Sequence, residues 1–347
     1  MIIQREDLRE KDFATEEQSL KPLKTRKTIG EEGSRKQILI VFLVSIALSA
    51  GFYLTNWRPE LKFSLPEKKN KKDQVYRIVK PRSEKKTVEE AIGFKAEIKF
   101  KGDAVKAIEK IIDDQSGGYG IYAENLVSGE ALGVKENEIL TAASVIKLPI
   151  LTAYYEAVDK GEIDPETEYS IKEQDRLVYG TGSMQNQPVG TRFDYRRLAF
   201  LAGKESDNMA AQLLVKFLGG EEKVNVKIRN WGLTKTDLKE NQTTAKEIAL
   251  LFKKIAKERL LKPDSKQELW ESLTDTVLET RLPAGIPEGI RVRHKFGSEI
   301  GVVNDCGLVE AKQPYVVCIL STGVNDGQAE ETLPKISRVI WELWGDN

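Results

Sequence analysis

Histidine and cysteine are scarce in this sequence of 347 residues, and their scarcity limits the chemistry that it can perform. There is one histidine, His294, and there are two cysteines, Cys306 and Cys318. A structural zinc site takes about four Cys or His ligands and a catalytic site takes about three protein ligands. We therefore expect no metal and no cofactor. A Ser-His-Asp triad would have to use His294, the single imidazole in the chain.

An excess of one charge is also lacking, because 54 basic side chains balance 54 acidic ones. This balance gives no reason to expect nucleic acid as a partner. Apolar residues make up 40% of the chain, which is enough for a packed core over most of its length.

One long apolar run is present at residues 37–57, where 21 consecutive residues carry no charge. As a helix this run would be about 31 Å long, which matches the hydrocarbon core of a bilayer. A buried core helix and a cleaved signal peptide are the alternatives. The charged tail at residues 1–36, which we expect to be disordered and cytoplasmic, favours an uncleaved anchor.

The charges that flank this run do not decide its orientation. Residues 21–36 and residues 58–72 each carry six Lys or Arg. We expect a single-pass protein of the cell membrane whose C-terminal part lies outside the cytoplasm, because the chemistry below suits that side. Residues 58–98 are rich in Lys and Glu and indicate a solvated linker.

Residues 99–347 carry the periodicities of a globular α+β domain. An amphipathic helix is predicted at 103–114 and a hairpin at 120–138, followed by an apolar helix at 143–160 and further helices to about 280. Three strands and a closing helix follow, at 291–299, 301–310, 314–323 and 329–344. This order predicts an antiparallel sheet of about five strands, flanked by helices, beside an all-helical lobe.

The apolar helix at 143–160 contains Ser144 and Lys147, three residues apart and therefore on one face. Burial would lower the pKa of Lys147 and allow its free amine to take the Ser144 proton. A backbone N–H at the helix start can also stabilise a developing oxyanion. The alternative is that Ser144 caps the helix while Lys147 extends to solvent.

Two further motifs follow in the chain. Ser206-Asp207-Asn208 precedes a predicted helix and could be a plain N-cap. Lys295-Phe296-Gly297 lies in a predicted strand, where a lysine commonly serves solubility. The order of all three motifs together is much harder to obtain by chance.

This order, S-x-x-K then S-D-N then K-[ST]-G, resembles the motif set of class A β-lactamases and penicillin-binding proteins. The similarity extends from about residue 104 to the C-terminus and includes AASVIKLPI and GKESDNMAAQLL. The resemblance implies the family's fold, an antiparallel sheet packed by helices beside a helical lobe. It also implies a serine hydrolase that acts on β-lactams or on D-Ala-D-Ala-like substrates.

The resemblance also assigns roles to individual residues. Ser144 would be the nucleophile, Lys147 the base, and Ser206 the group that passes a proton to the leaving nitrogen. Asn208 would bind the substrate amide and steady Lys147, and Lys295, followed by Gly297, would attract the substrate carboxylate and poise Ser206. The backbone N–H groups of Ser144 and Ser298 would form the oxyanion hole. Tyr179 would border the substrate groove or serve packing alone.

Two departures from the family pattern stand out. Phe296 replaces a Thr or Ser whose hydroxyl would bind the substrate carboxylate, a loss of about 1 kcal/mol unless Ser298 compensates or the natural ligand differs. The loop that carries the deacylating Glu in class A enzymes is about a dozen residues shorter here. Glu240 is a candidate for that base, although a surface glutamate is the simpler interpretation.

The leading hypothesis is a membrane-anchored β-lactamase acylated at Ser144. A D-alanyl-D-alanine peptidase-like enzyme and a non-hydrolysing β-lactam or peptidoglycan-binding module are the alternatives. Cys306 and Cys318 would face each other if the chain turns at 311–313. They would then form either a disulfide or two buried thiols.

Overall fold

The computed structural model describes residues 98–177 and 180–346. The predicted tail at 1–36, the predicted span at 37–57 and all but the last residue of the predicted linker lie outside these ranges, as does Tyr179. Within the described ranges, no helix has the length and the apolar character needed to cross a bilayer.

A five-stranded antiparallel sheet forms the centre of the domain, as the sequence predicted. Its strands are β1 (Gly118–Asn125), β2 (Ala131–Val134), β7 (Val292–Glu299), β8 (Val302–Val309) and β9 (Tyr315–Thr322). Their order is β2-β1-β9-β8-β7, so the N-terminal hairpin lies beside the last strand of the chain.

Alternate residues of the central strands pack on opposite faces of the sheet. Ile121 and Ile319 join an apolar cluster with α1 (Lys101–Asp113) and α8 (Asp326–Trp344). Tyr122 and Leu320, one position further along each strand, face a second cluster that continues into the helical lobe.

The helical lobe surrounds a central helix whose residues are almost all buried, as the apolar run predicted. The lobe contains β3 (Leu140–Thr141), the central helix α2 (Lys147–Asp159), β4 (Glu168–Ser170), β5 (Arg192–Asp194), α3 (Tyr195–Lys204), α4 (Asn208–Phe217), α5 (Glu221–Asn230), β6 (Gln242–Thr243), α6 (Ala245–Lys257) and α7 (Pro263–Ser272). Its short strands pair as β3 with β6 and β4 with β5. Among the helices of the lobe, α6 packs against the sheet and thereby joins the lobe to it.

Cys306 and Cys318 form a disulfide between β8 and β9. The two residues lie directly opposite each other in the register of these strands, which follows from the short connection after Val309. Of the two alternatives that the sequence left open, the structure has the disulfide.

Candidate active site

Ser144 lies in a single 3₁₀ turn, Ala143–Ile146, that leads directly into α2. Ala143 before it has a φ of 47°, a left-handed conformation that a residue with a Cβ rarely adopts. Backbone strain of this kind is commonly found at functional sites, where the surrounding structure holds it in place. The turn leaves Ser144 half-buried at the wall of a cavity.

Lys147, 5% exposed, sits below Ser144 with its amine surrounded by oxygen atoms. Its Nζ donates to Ser144 Oγ at 2.8 Å and to Asn208 Oδ1 at 2.5 Å. It also reaches the Ser206 carbonyl oxygen at 2.7 Å and Ser206 Oγ at 3.2 Å. Burial lowers the pKa of Lys147 from 10.5 to about 7, although the nearby Asp207 opposes this shift. A substantial fraction of the amine is therefore free base near neutral pH.

The second motif is held by Asp207, which caps α4. Its carboxylate accepts from the backbone N–H of Ala210 at 2.9 Å and from that of Met184 at 2.8 Å. Ser206 adopts a φ of 56°, so the chain reverses just before the helix. The N-cap interpretation is therefore right for Asp207, and its two neighbours, Ser206 and Asn208, are directed to Lys147.

Gly297 brings β7 against the nucleophile turn. A Cβ at this position would lie 2.8 Å from the Ser144 backbone nitrogen and 2.9 Å from that of Val145. Atoms do not approach so closely without displacement, so glycine is needed here. This contact brings the strand that carries Ser298 next to the N–H of Ser144.

Replacing Gly297 by alanine is expected to lower the free energy of unfolding by about 1–3 kcal/mol, because backbone must shift to admit the methyl group. Thermal unfolding measures this effect. Gly102→Ala is the control, since a Cβ at Gly102 meets nothing within 4 Å. An equal free energy of unfolding for Gly297→Ala and Gly102→Ala would show that β7 does not need this close approach to the nucleophile turn.

A cavity of about 860 Å³ opens beside Ser144. Its walls come from the nucleophile turn, α4, the end of β7 and the turn that precedes β6. The residues that line it are Ala143, Ser144, Ile146, Lys147, Ile150, Gly180, Thr181, Asn208, Ala211, Gln212, Val215, Glu221, Leu238, Asn241, Ser298, Glu299 and Ile300. The volume is in the usual range for sites that hold small molecules or peptide ends.

The sequence model of the β-lactamase enzyme family matches residues 103–344, well over half of the chain. The chain belongs to the β-lactamase enzyme family. The match includes every described residue of the candidate site. It makes the protein a serine hydrolase of the β-lactamase type.

Individual relatives agree with this assignment. β-Lactamase VEB-1 of Pseudomonas aeruginosa is 22% identical over 266 residues, which is 68% of this chain and 89% of VEB-1. β-Lactamase ROB-1 of Haemophilus influenzae is 28% identical over 221 residues, which is 58% of this chain and 71% of ROB-1. The solved structure of PBP-A is 29% identical with a TM-score of 0.66, and the match covers 71% of this chain and 98% of PBP-A. A point mutant of PBP-A has been solved as an acyl-enzyme complex with penicillin G.

This β-lactamase-family chain does not bring Glu240 to the nucleophile. Glu240 is exposed and lies outside the cavity lining, and its backbone N–H donates to Asp237 Oδ1 at 3.1 Å. Leu238 and Asn241 from the same turn line the cavity instead. The short turn thus presents an apolar side chain and an amide where the sequence suggested a carboxylate.

Lys295 is fully buried and is not directed at Ser206. Its Nζ donates to the carbonyl oxygen of Phe296 at 2.9 Å and lies 4.0 Å from the centre of the Phe296 ring. Burial, reinforced by the charge of Lys147, holds the pKa of Lys295 well below its ordinary value. Among the described residues, no hydrogen bond joins Lys295 to Ser206. The Lys295 amine therefore contacts Phe296, the residue that departs from the family pattern in the third motif.

Arg281 is a residue of this site that sequence reasoning missed. It is 2% exposed, and its guanidinium donates to the carbonyl oxygens of Gly297 and Asn304, both at 2.9 Å, and to Ser298 Oγ at 2.6 Å. Glu330 balances its charge. Arg281 thereby fixes the end of β7 beside the nucleophile. The signal available was an arginine within an apolar stretch, RLPAG, where a charge needs a partner.

His294 belongs to a separate buried network and does not touch Ser144. Its ring nitrogens lie 2.8 Å from Asp305 and 3.1 Å from both Thr276 and Glu279. Burial opposes protonation, but Asp305 and Glu279 prevail and raise the pKa of His294 to about 9. Because the ring nitrogens of His294 are engaged with Thr276, Asp305 and Glu279 and not with Ser144, the triad hypothesis is wrong.

Proposed function

We propose that this serine hydrolase of the β-lactamase family is acylated at Ser144 by β-lactams, with Lys147 as the general base. The observation that carries the proposal is the 2.8 Å contact between Lys147 Nζ and Ser144 Oγ, made by a buried amine with a pKa of about 7. A free amine at this distance can accept the hydroxyl proton as Ser144 attacks.

The reaction requires two proton transfers. Lys147 takes the proton of Ser144 Oγ as this oxygen bonds to the substrate carbonyl carbon, and the backbone N–H groups of Ser144 and Ser298 stabilise the oxyanion. When the C–N bond breaks, Ser206 Oγ gives its proton to the leaving nitrogen. Lys147, 3.2 Å away, then restores that proton. The product is an ester of Ser144, which water must resolve.

The fate of this ester separates two candidate functions. A β-lactamase hydrolyses it quickly, whereas a D-alanyl-D-alanine peptidase-like enzyme holds a β-lactam adduct for long periods. The apolar Leu238 in the cavity lining and the exposed position of Glu240 favour the second. The similarity to PBP-A, a point mutant of which was solved as an acyl-enzyme complex with penicillin G, supports acylation in either case.

We further propose that residues 37–57 anchor the protein in the cell membrane and that the catalytic part lies outside the cytoplasm. The 21 uncharged residues support this proposal by their length. The Cys306–Cys318 disulfide supports the compartment, because disulfides persist mainly in oxidising surroundings.

Treatment of the full-length protein with benzylpenicillin is expected to raise its intact mass by one penicillin, attached to the peptide that contains Ser144. The adduct forms because the Ser144–Lys147 pair is assembled, and it persists because Leu238 lines the cavity where Glu240 does not. Mass spectra over time measure both properties. Rapid loss of the adduct would favour a β-lactamase over the peptidase.

A further inference from the structure

The strand β7 brings Lys295 and Phe296 to the side of the site that receives the leaving group. Gly297, the next residue of this strand, is where a Cβ would lie 2.8 Å from the Ser144 backbone nitrogen. In penicillin and in a peptide that ends in D-alanyl-D-alanine, a carboxylate is attached to the carbon next to the leaving nitrogen. The resemblance to the family places Lys295 and the residue after it around this carboxylate. Their side chains therefore decide how the site treats a charged leaving group.

Lys295 does not offer a cation to the cavity. It is 0% exposed and is not among the described residues that line the cavity. Its Nζ donates to the carbonyl oxygen of Phe296 at 2.9 Å, and the centre of the Phe296 ring lies 4.0 Å away. Burial, together with the charge of Lys147, holds the pKa of the Lys295 amine well below its ordinary value, which disfavours the charged form. A ligand carboxylate therefore finds no exposed ammonium group at this position.

Arg281, the other cation beside β7, has every N–H group engaged by the protein. A guanidinium has five N–H donors. Two of them donate to the Glu330 carboxylate, two to the carbonyl oxygens of Gly297 and Asn304, and one to Ser298 Oγ. The Glu330 carboxylate also balances the charge of Arg281. Arg281 thus secures the end of β7 and approaches the cavity through the Ser298 hydroxyl.

The cavity wall at the end of β7 offers a ligand one neutral donor and one negative charge. Ser298 Oγ accepts from Arg281, so its own hydrogen is available to a ligand. Glu299, the next residue, lines the same cavity with a carboxylate that accepts from Asn241 at 2.8 Å. Phe296 adds no hydroxyl group to that of Ser298. A carboxylate that leaves water needs a charged partner or several donors, and here it gains one hydroxyl beside a like charge.

We propose that this site does not select a carboxylate on the leaving group and that Phe296 is the residue that sets this specificity. The inference rests on the proposed acylation at Ser144 and names the class of acyl donor. An ester or an amide in place of the carboxylate is accepted as readily as the free acid. A peptide bond inside a longer chain has this chemistry, because the carboxyl group that follows it is itself bonded as an amide.

The covalent step is the one proposed above. Ser144 Oγ bonds to the carbonyl carbon, the C–N bond breaks, and one proton passes from Ser144 through Lys147 and Ser206 to the leaving nitrogen. The carboxylate takes part in none of these bonds. Blocking it as an ester therefore changes binding beside β7 and leaves the reacting atoms the same.

The experiment compares the second-order rates at which benzylpenicillin and its methyl ester acylate the full-length protein, followed by intact mass. Each rate is divided by the rate at which hydroxide opens the same compound, which removes the difference in ring reactivity. The wild-type protein is expected to show an acid-to-ester ratio below about threefold, less than one hydrogen bond to a charged group contributes.

Phe296→Thr is expected to raise this ratio by about tenfold or more, because the new hydroxyl donates to the carboxylate beside that of Ser298. Phe296→Val is the matched control, since valine has nearly the shape of threonine without its hydroxyl, and it should keep the wild-type ratio. Both rates in a ratio come from one preparation, so an unfolded fraction of a variant cancels. The wild-type ratio decides the inference even where a variant fails to fold.

Three results would each overturn the inference. They are a wild-type ratio above about threefold, a ratio that Phe296→Thr leaves unchanged, and a rise that Phe296→Val produces as strongly as Phe296→Thr. A wild-type protein that neither compound acylates shows that the proposed function is wrong, and the inference falls with it. Acylation by both compounds with a strong preference for the acid removes the inference alone.

Discussion

Replacing Lys147 by methionine is expected to slow acylation of Ser144 by about 10²–10⁴-fold, the usual contribution of a positioned general base. Methionine has a flexible apolar chain that fills a buried position of this shape, while it lacks the amine that takes the Ser144 proton. The measurement is the second-order rate of penicillin adduct formation. Thermal unfolding of the variant checks that the loss of rate is not a loss of fold.

The pH dependence tests the same role with a defined sign. The pKa of Lys147 is lowered to about 7, so the free amine is a minority below that pH and dominates above it. Acylation by the wild-type protein should therefore rise with pH through about 7 and then level off. Lys147→Arg should show no such rise, because a guanidinium keeps its proton over this range. A wild-type rate that does not change across neutral pH would remove Lys147 as the base.

Replacing Leu238 by glutamate is expected to speed loss of the penicillin adduct by about tenfold or more, short of the 10²–10⁴-fold of an optimised base. Leu238 lines the cavity beside Ser144 and is 9% exposed. A carboxylate at this position could activate water for attack on the ester. Its burial would raise the pKa of the carboxyl group, as for other buried acids, which suits a base that works near neutral pH.

Two variants separate this effect from simple loosening of the turn. Leu238→Gln has nearly the same shape without the charge and should leave the adduct long-lived. Glu240→Gln should also leave its lifetime unchanged, because Glu240 lies outside the cavity lining. If Glu240→Gln prolongs the adduct, the sequence-based assignment of Glu240 as the deacylating base stands and the geometric argument fails.

The parts of the site that sequence reasoning placed correctly are those set by local periodicity. Ser144 and Lys147 are three residues apart at the start of a helix, and this spacing alone puts them on one face. Asn208 was placed with them by the order of the three motifs, because its contact with Lys147 joins two helices that are distant in the chain. The hairpin of β1 and β2 was predictable from its alternating apolar residues, and the last three strands were predictable as short segments near the end of the chain.

The parts that could not be predicted depend on long-range packing or on side-chain conformation. Lys295 occupies a strand position that the sequence indicates well, but its amine turns to the ring of Phe296, a choice that motif order does not reveal. Arg281 reaches the site from a loop outside all three motifs. Glu240 and Leu238 are two residues apart in a short turn, and only the path of that turn decides which one faces the cavity.

Acylation at Ser144 is tested most directly by comparing the intact mass of the wild-type protein with that of Ser144→Ala after incubation with benzylpenicillin. We expect a stoichiometric adduct on the wild-type protein, lost completely in Ser144→Ala, with unchanged thermal unfolding of the variant. Full labelling of Ser144→Ala, or an unlabelled wild-type protein at every penicillin concentration, would contradict acylation at Ser144.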